Sequence, residues 1–104
     1  MFDSVVRGAV VVDGTGLPRR RADIAIDGGE IVAVGRIDER GREEIDADGL
    51  IAMPGIVDAH THYDPILTFD PWATSSCFHG VTTVVTANCG FSIAPCRSED
   101  RGST

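Results

Sequence analysis

The sequence predicts an α/β chain in two unlike parts: short β-strands over residues 1–52, then the opening of a parallel βαβ arrangement over residues 53–104. Three observations carry this. The first half consists of β-branched runs punctuated by Gly-containing turns, with no helical period. In the second half an apolar strand, an Asp-Pro helix start and a second β-branched strand follow one another within roughly 30 residues, the size of a βαβ unit. Both strands of that unit also run into residues capable of chemistry, His60 and His62 after the first and Asn88 and Cys89 after the second. Active sites of parallel α/β folds gather at the C-terminal ends of their strands.

Taken in order, Ser4 to Val12 is rich in valine and reads as a strand, ended by Asp13-Gly14-Thr15-Gly16. Residues 22–26 form a second strand, with Ile24 and Ile26 on one face. Asp27-Gly28-Gly29 is a hairpin turn, because glycine tolerates the positive φ such turns need. Glu30 to Gly35 returns as a third strand, the charged stretch 36–44 as an exposed connection, and Glu44 to Gly49 as a short edge strand entering a turn. Residues 1–52 therefore predict a meander of antiparallel strands. Beyond Pro54, a buried strand is expected over 56–60 and an irregular segment from His62 to Phe69. A helix should begin with Asp70 as N-cap and Pro71 at its first position, run to Phe78 or His79, and stop at Gly80. A second strand covers 81–86, and Arg97 to Arg101 opens a further helix in an otherwise aperiodic tail. One βαβ unit cannot cover both faces of a parallel sheet, so the chain reads as the front of something larger.

Composition excludes several functions. The 104 residues suit a modest core, and a net charge of −7 with nine arginines and no lysine argues against nucleic acid as a partner. Arg19-Arg20-Arg21 is the one basic run and reads as an exposed turn. No apolar stretch approaches the ~18 residues of a membrane span, and Asp3 and Arg7 break any N-terminal signal core. Three cysteines without a framework spacing fit reduced thiols and a cytoplasmic location.

The chemistry concentrates in His60-Thr61-His62. Side chains alternate along a strand, so the two imidazoles share a face roughly 7 Å apart and can lean together on one ion. A solvated histidine pair is the ordinary reading of His-x-His. Here it directly follows a β-branched strand with Asp58 and Asp64 close on either side, which favours metal. Catalytic zinc takes three protein ligands and a water, and Cys89, as thiolate, is a suitable soft third ligand. Asp58 shares the face of His60 and is placed to support the site. Asp64 is either a partner that orients a ligand histidine or a loop acid. Tyr63, Asn88 and Trp72 are candidates for a substrate pocket or for packing, Cys77 and Cys96 for structure, and His79 for a helix end.

These residues resemble the amidohydrolase superfamily, and within it the N-acyl-D-amino-acid deacylase (D-aminoacylase) group. The matching pieces are Asp48 to Ile51, Pro54-Gly55-Ile56-Val57-Asp58-Ala59-His60-Thr61-His62-Tyr63-Asp64, and His79-Gly80-Val81-Thr82-Thr83-Val84-Val85-Thr86-Ala87-Asn88-Cys89-Gly90-Phe91-Ser92-Ile93-Ala94-Pro95. The resemblance implies the start of a (β/α)8 TIM barrel preceded by part of a small β-sandwich. It implies one or two zinc ions and hydrolysis of an N-acyl-D-amino acid by metal-activated water, with His60, His62 and Cys89 as ligands. The remaining ligands and the general base are expected on later strands. The chain alone is then inactive and needs the remainder of the polypeptide, or a complementary chain, to act on a small-molecule amide. Two alternatives stand beside this: a cyclic-amide hydrolase of the dihydroorotase or hydantoinase type, and a non-catalytic β-rich module with a vestigial metal site.

Overall fold

Strand β1 (Phe2–Val11) is the longest element, and the first half of the chain is assembled around it. The coordinates are a computed structural model that describes residues 1–90 and 92–102. Phe91 of the third matching piece, and Ser103 and Thr104 of the tail, lie outside the described residues. Contacts divide the chain into two units, Met1–Pro54 and Gly55–Thr104.

In the first unit β2 (Arg20–Asp27) pairs antiparallel with β1, and β3 (Glu30–Gly35) antiparallel with β2, as the hairpin signals predict. The meander ends there. β4 (Gly41–Asp46) crosses to the far edge of β1 and runs parallel to it, with Val5 opposite Glu44, and β5 (Ile51–Ala52) extends the same parallel edge. The expectation of purely antiparallel strands is corrected by one side chain. Arg7 donates to the carbonyls of Ile37 at 2.6 Å and Glu39 at 2.7 Å and to Glu44 at 2.8 Å, drawing the 36–40 connection across the end of the sheet. Among five donors in a rigid fork, one at least also meets Asp23, at 3.4 Å.

Asp23 has a second task. The register of β1 against β2 shifts between Val6 and Ala9, and Gly8 sits there at φ 69° with its N–H on Asp23 Oδ1 at 2.8 Å. A bulge inserts one residue and so resets which face later residues occupy. That reset puts Val6, Ala9 and Val11 against one cluster with Ala22, Ile24, Ala47 and Ala52, while Val5 and its partner Ala25 are sealed separately. Val5 is the one large side chain fully buried among the described residues, so the core is thin.

In the second unit β6 (Ile56–Asp58) and β7 (Val81–Val84) pair in parallel, Ile56 with Val81 and Asp58 with Val84. The parallel pairing is as expected, but three other expectations are corrected. β6 stops at Asp58 rather than residue 60, and Ile56 and Val57 are exposed rather than buried, because the described sheet has only two strands. The helix over 71–79 is replaced by turns and a 3-10 segment, Ser76–His79. The reason is Asp70, whose carboxylate accepts from the N–H groups of Trp72 and Thr74 and from the Thr74 hydroxyl. A side chain that satisfies backbone donors in a turn competes with the helix it was expected to cap, and Thr74, Ser75 and Ser76 add little helical preference. Gly80 does close the segment, at φ 84°. The anticipated helix opening in the tail is likewise a 3-10 turn, Ser98–Asp100, and another, Ile66–Thr68, interrupts the irregular segment. Among the described residues there is no α-helix, and no helix long and apolar enough to cross a membrane.

Two outcomes follow from the first unit. A Cβ at Gly41 would stand 2.8 Å from Val5 N and 3.1 Å from Ser4 C, both backbone atoms that cannot step aside. Gly41→Ala should therefore lower stability by about 1–3 kcal/mol, read as a lower denaturant midpoint. Asp23 and Glu44 are held below their ordinary values of 3.8 and 4.5, Asp23 chiefly by the Gly8 N–H and Glu44 chiefly by Arg7. Their unfolded forms bind more protons, so their contribution is full above about pH 4.5 and is lost as pH falls through the depressed values. Urea midpoints between pH 7 and 3 should show this loss, and Arg7→Met should make it shallower.

Candidate metal centre

The second unit brings two chain segments together beyond the ends of its parallel strands. On the first, Asp58 Oδ1 accepts the N–H of His60 at 3.2 Å, a local turn that takes the chain off the β6 ladder. His60 and His62 consequently lie past the strand end rather than on it, with ring centroids 6.0 Å apart and planes inclined by 35°. On the second, Val85 still donates to Asp58 O at 2.8 Å, and then Ala87 turns left-handed at φ 67°. The Gly90 N–H closes that turn on Ala87 O at 3.0 Å and leaves Cys89 at its tip.

His60, His62 and Cys89 each offer one ligand atom, and the three atoms lie within 4.8 Å of one another. All three side chains are exposed. The set fits zinc on its own chemistry: two imidazoles and a thiol match its preference for N and S donors, whereas magnesium and calcium prefer oxygen. Ligand atoms around a tetrahedral zinc stand about 3.3–3.6 Å apart, from bond lengths near 2.0 and 2.3 Å. Small χ rotations of exposed side chains cover the difference. Neither Cys77, Cys96 nor His79 belongs to the group.

The other candidates divide. Asp58 and Tyr63 line an open hollow of about 310 Å³ with His60, Thr61, His62, Ile66 and Ser76, and the Tyr63 hydroxyl shares a hydrogen bond with Ser76 Oγ. Asn88 Nδ2 donates to Ala59 O at 2.6 Å, spanning the two segments. Asp64 is buried, and its Oδ2 accepts the Ala87 N–H at 3.4 Å. Trp72 is 77% exposed and lies with Cys77 along a different hollow. The residue missed in the sequence is Thr61, 6% exposed, whose hydroxyl donates to Val85 O at 3.1 Å. Its signal was its place between two histidines.

The family model for the amidohydrolase family matches residues 43–101, more than half of the chain. The chain belongs to the amidohydrolase family. Over 94 residues it is 46% identical to an N-acyl-D-aspartate deacylase of Alcaligenes xylosoxydans xylosoxydans, covering 89% of this chain and 19% of that protein. In structure it is similar to an N-acyl-D-glutamate deacylase from Bordetella bronchiseptica, complexed with zinc and a phosphonate mimic of the tetrahedral intermediate, at TM-score 0.83 and 41% identity over 91% of this chain and 20% of that one. A D-aminoacylase with a binuclear metal centre superposes at TM-score 0.85 and 43% identity, covering 92% of this chain and 20% of that one. The chain thus spans about a fifth of the length of the relatives it matches.

Within this amidohydrolase chain the approach of the two strands has a steric condition. A Cβ at Gly55 would overlap the side chain of Thr82, whose own Cβ would stand 2.7 Å away. Gly55→Ala should push β7 off β6 and separate the two segments beyond them. Thr82→Ala, which removes the obstructing Oγ1 and Cγ2 but keeps the Cβ, should restore part of the loss in Gly55→Ala when both unfolding midpoints are compared.

Proposed function

We propose that this chain is the N-terminal part of a zinc-dependent amidohydrolase that cleaves the linear amide of an N-acyl-D-amino acid. The observation that carries the proposal is the convergence of His60, His62 and Cys89 within 4.8 Å, beyond the ends of two parallel strands. In this reading β6 and β7 are the first two strands of a (β/α)8 barrel within residues 53–104, and residues 1–52 are one portion of a β-sandwich. The similarity to D-amino-acid deacylases over about nine-tenths of the chain supports both parts.

His60 and His62, as neutral imidazoles, and Cys89, as thiolate, would hold one zinc ion or share two. When bound, zinc lowers the pKa of a water and polarises a carbonyl. The hollow beside the histidines, with Asp58, Tyr63 and Ser76 on its walls, offers polar groups to position an amide. The general base, the remaining ligands and the groups that choose the acyl chain belong to the remainder of the polypeptide, so residues 1–104 alone would not turn over substrate. The thiol-based ligand set suits a reducing cytoplasm.

The test uses the full-length protein, assayed with matched N-acyl-D- and N-acyl-L-amino acids and a cyclic imide, with zinc content measured alongside. Preference for the D-substrates is expected. Cys89→Ala should lose zinc and activity together, while Cys77→Ala should keep both. Normal zinc content in the Cys89 variant would remove that ligand, and activity confined to the ring would move the protein to the cyclic-amide hydrolases.

A further inference from the structure

The two buried polar side chains among the described residues of the second unit, Thr61 and Asp64, lie in the same stretch as the two histidines. Both reach across to the segment that ends in Cys89. Thr61 Oγ1 donates to Val85 O at 3.1 Å, and Asp64 Oδ2 accepts from Ala87 N at 3.4 Å. Asn88 Nδ2 returns the tie to Ala59 O at 2.6 Å. The hydrogen bonds therefore interleave with the ligand candidates: residues 59, 61 and 64 hold one strand-end segment to residues 85, 87 and 88 of the other.

Ala87 gives the tie something to hold. It is a non-glycine residue at φ 67°, a conformation that persists only where its surroundings over-determine it. The Asp64 carboxylate fixes its N–H, two residues before Cys89. Asp64 has a second signature of a fixed role, since its Oδ1 is buried without a hydrogen-bond partner among the described residues. Such an oxygen calls for a donor. Asp64 also lines a cavity of about 220 Å³ with the hydroxyl-bearing Thr68, Thr86 and Ser92, space enough for a bound water.

We propose that Thr61 and Asp64 are positioning residues that clamp the His60–His62 segment to the Cys89 turn and so preset the spacing of the three donors. The proposal rests on the reading of those donors as zinc ligands. Without the clamp the thiolate is carried on a turn free to drift from the imidazoles, and the ordering of that turn is added to the cost of each binding event. Residues that orient metal ligands typically alter affinity by about 10–100-fold.

The experiment is cobalt(II) binding to the full-length protein, followed by chelator competition and by the thiolate-to-cobalt charge-transfer band, with the unfolding midpoint of the metal-free protein measured in parallel. Thr61→Val keeps shape and loses the hydroxyl. Asp64→Ala loses the acceptor, and Asp64→Asn retains a carbonyl oxygen for the Ala87 N–H. Thr61→Val and Asp64→Ala should each weaken cobalt affinity by about 10-fold or more and diminish the band, and Asp64→Asn should recover most of both. Cys89→Ala supplies the reference. If it keeps the band, the ligand reading itself fails. If it abolishes the band while Thr61→Val and Asp64→Ala bind cobalt as tightly as the parent, the ligand reading stands and the clamp is overturned. A lower unfolding midpoint with unchanged affinity and band would likewise overturn it, leaving a purely structural role. Should Asp64→Ala fail to fold, Thr61→Val and Asp64→Asn decide.

Discussion

The parallel pairing of β6 with β7 is the constraint on which the second unit depends. Parallel neighbours end on the same side, so whatever follows each strand emerges at a common edge. Ile56 opposite Val81 and Asp58 opposite Val84 set that edge within a residue. Gly55 permits it, because a side chain there would occupy the space of Thr82. Once the strands are in register, Asp58 and Val85 join by a last backbone bond, and two short segments face each other across a few ångströms.

Those segments are irregular, and their irregularity has named causes. Asp58 turns one of them by accepting the N–H of His60, two residues on, and Ala87 turns the other by adopting a left-handed conformation. The result places two imidazoles and a thiol on an open surface rather than in a closed cage. Open donor sets with fewer than four protein ligands are the pattern of catalytic zinc, whereas structural zinc is enclosed by four. In the reading proposed above, His60, His62 and Cys89 would supply part of an open set of the first kind.

The first unit is organised by a different device. Its core is made mostly of alanine and valine, too small to contribute much burial energy per residue. Polar fastening compensates: Arg7 and Asp23, both part-buried, satisfy four backbone groups between them, the Ile37 and Glu39 carbonyls and the Gly8 and Ile37 amides. Hydrogen bonds to charged groups are stronger than neutral ones, and here they anchor the connection that lets β4 run parallel to β1.

Sequence alone determined most of the strands, although β4 (Gly41–Asp46) begins inside the stretch expected as an exposed connection. Runs such as Val81-Thr82-Thr83-Val84 and turns such as Asp27-Gly28-Gly29 carry their structure in local sterics, and β3 was legible to its ends. His60, His62 and Cys89 were legible as candidate donors from residue type and from their places after strands, and the structure brings their ligand atoms within 4.8 Å of one another. What only the tertiary structure decided involves partners distant along the chain. Arg7 reaches residues 37, 39 and 44 and so converts a meander into a mixed sheet. The Gly8 bulge depends on Asp23, 15 positions away, and changes which residues share a face. Asp70 showed the features of a helix cap, yet one carboxylate serving both Trp72 and Thr74 makes a turn instead. Thr61 was passed over because a threonine between two histidines has no chemistry of its own. Its hydroxyl meets Val85 O, 24 residues on, and that proximity exists only after the two strands have paired.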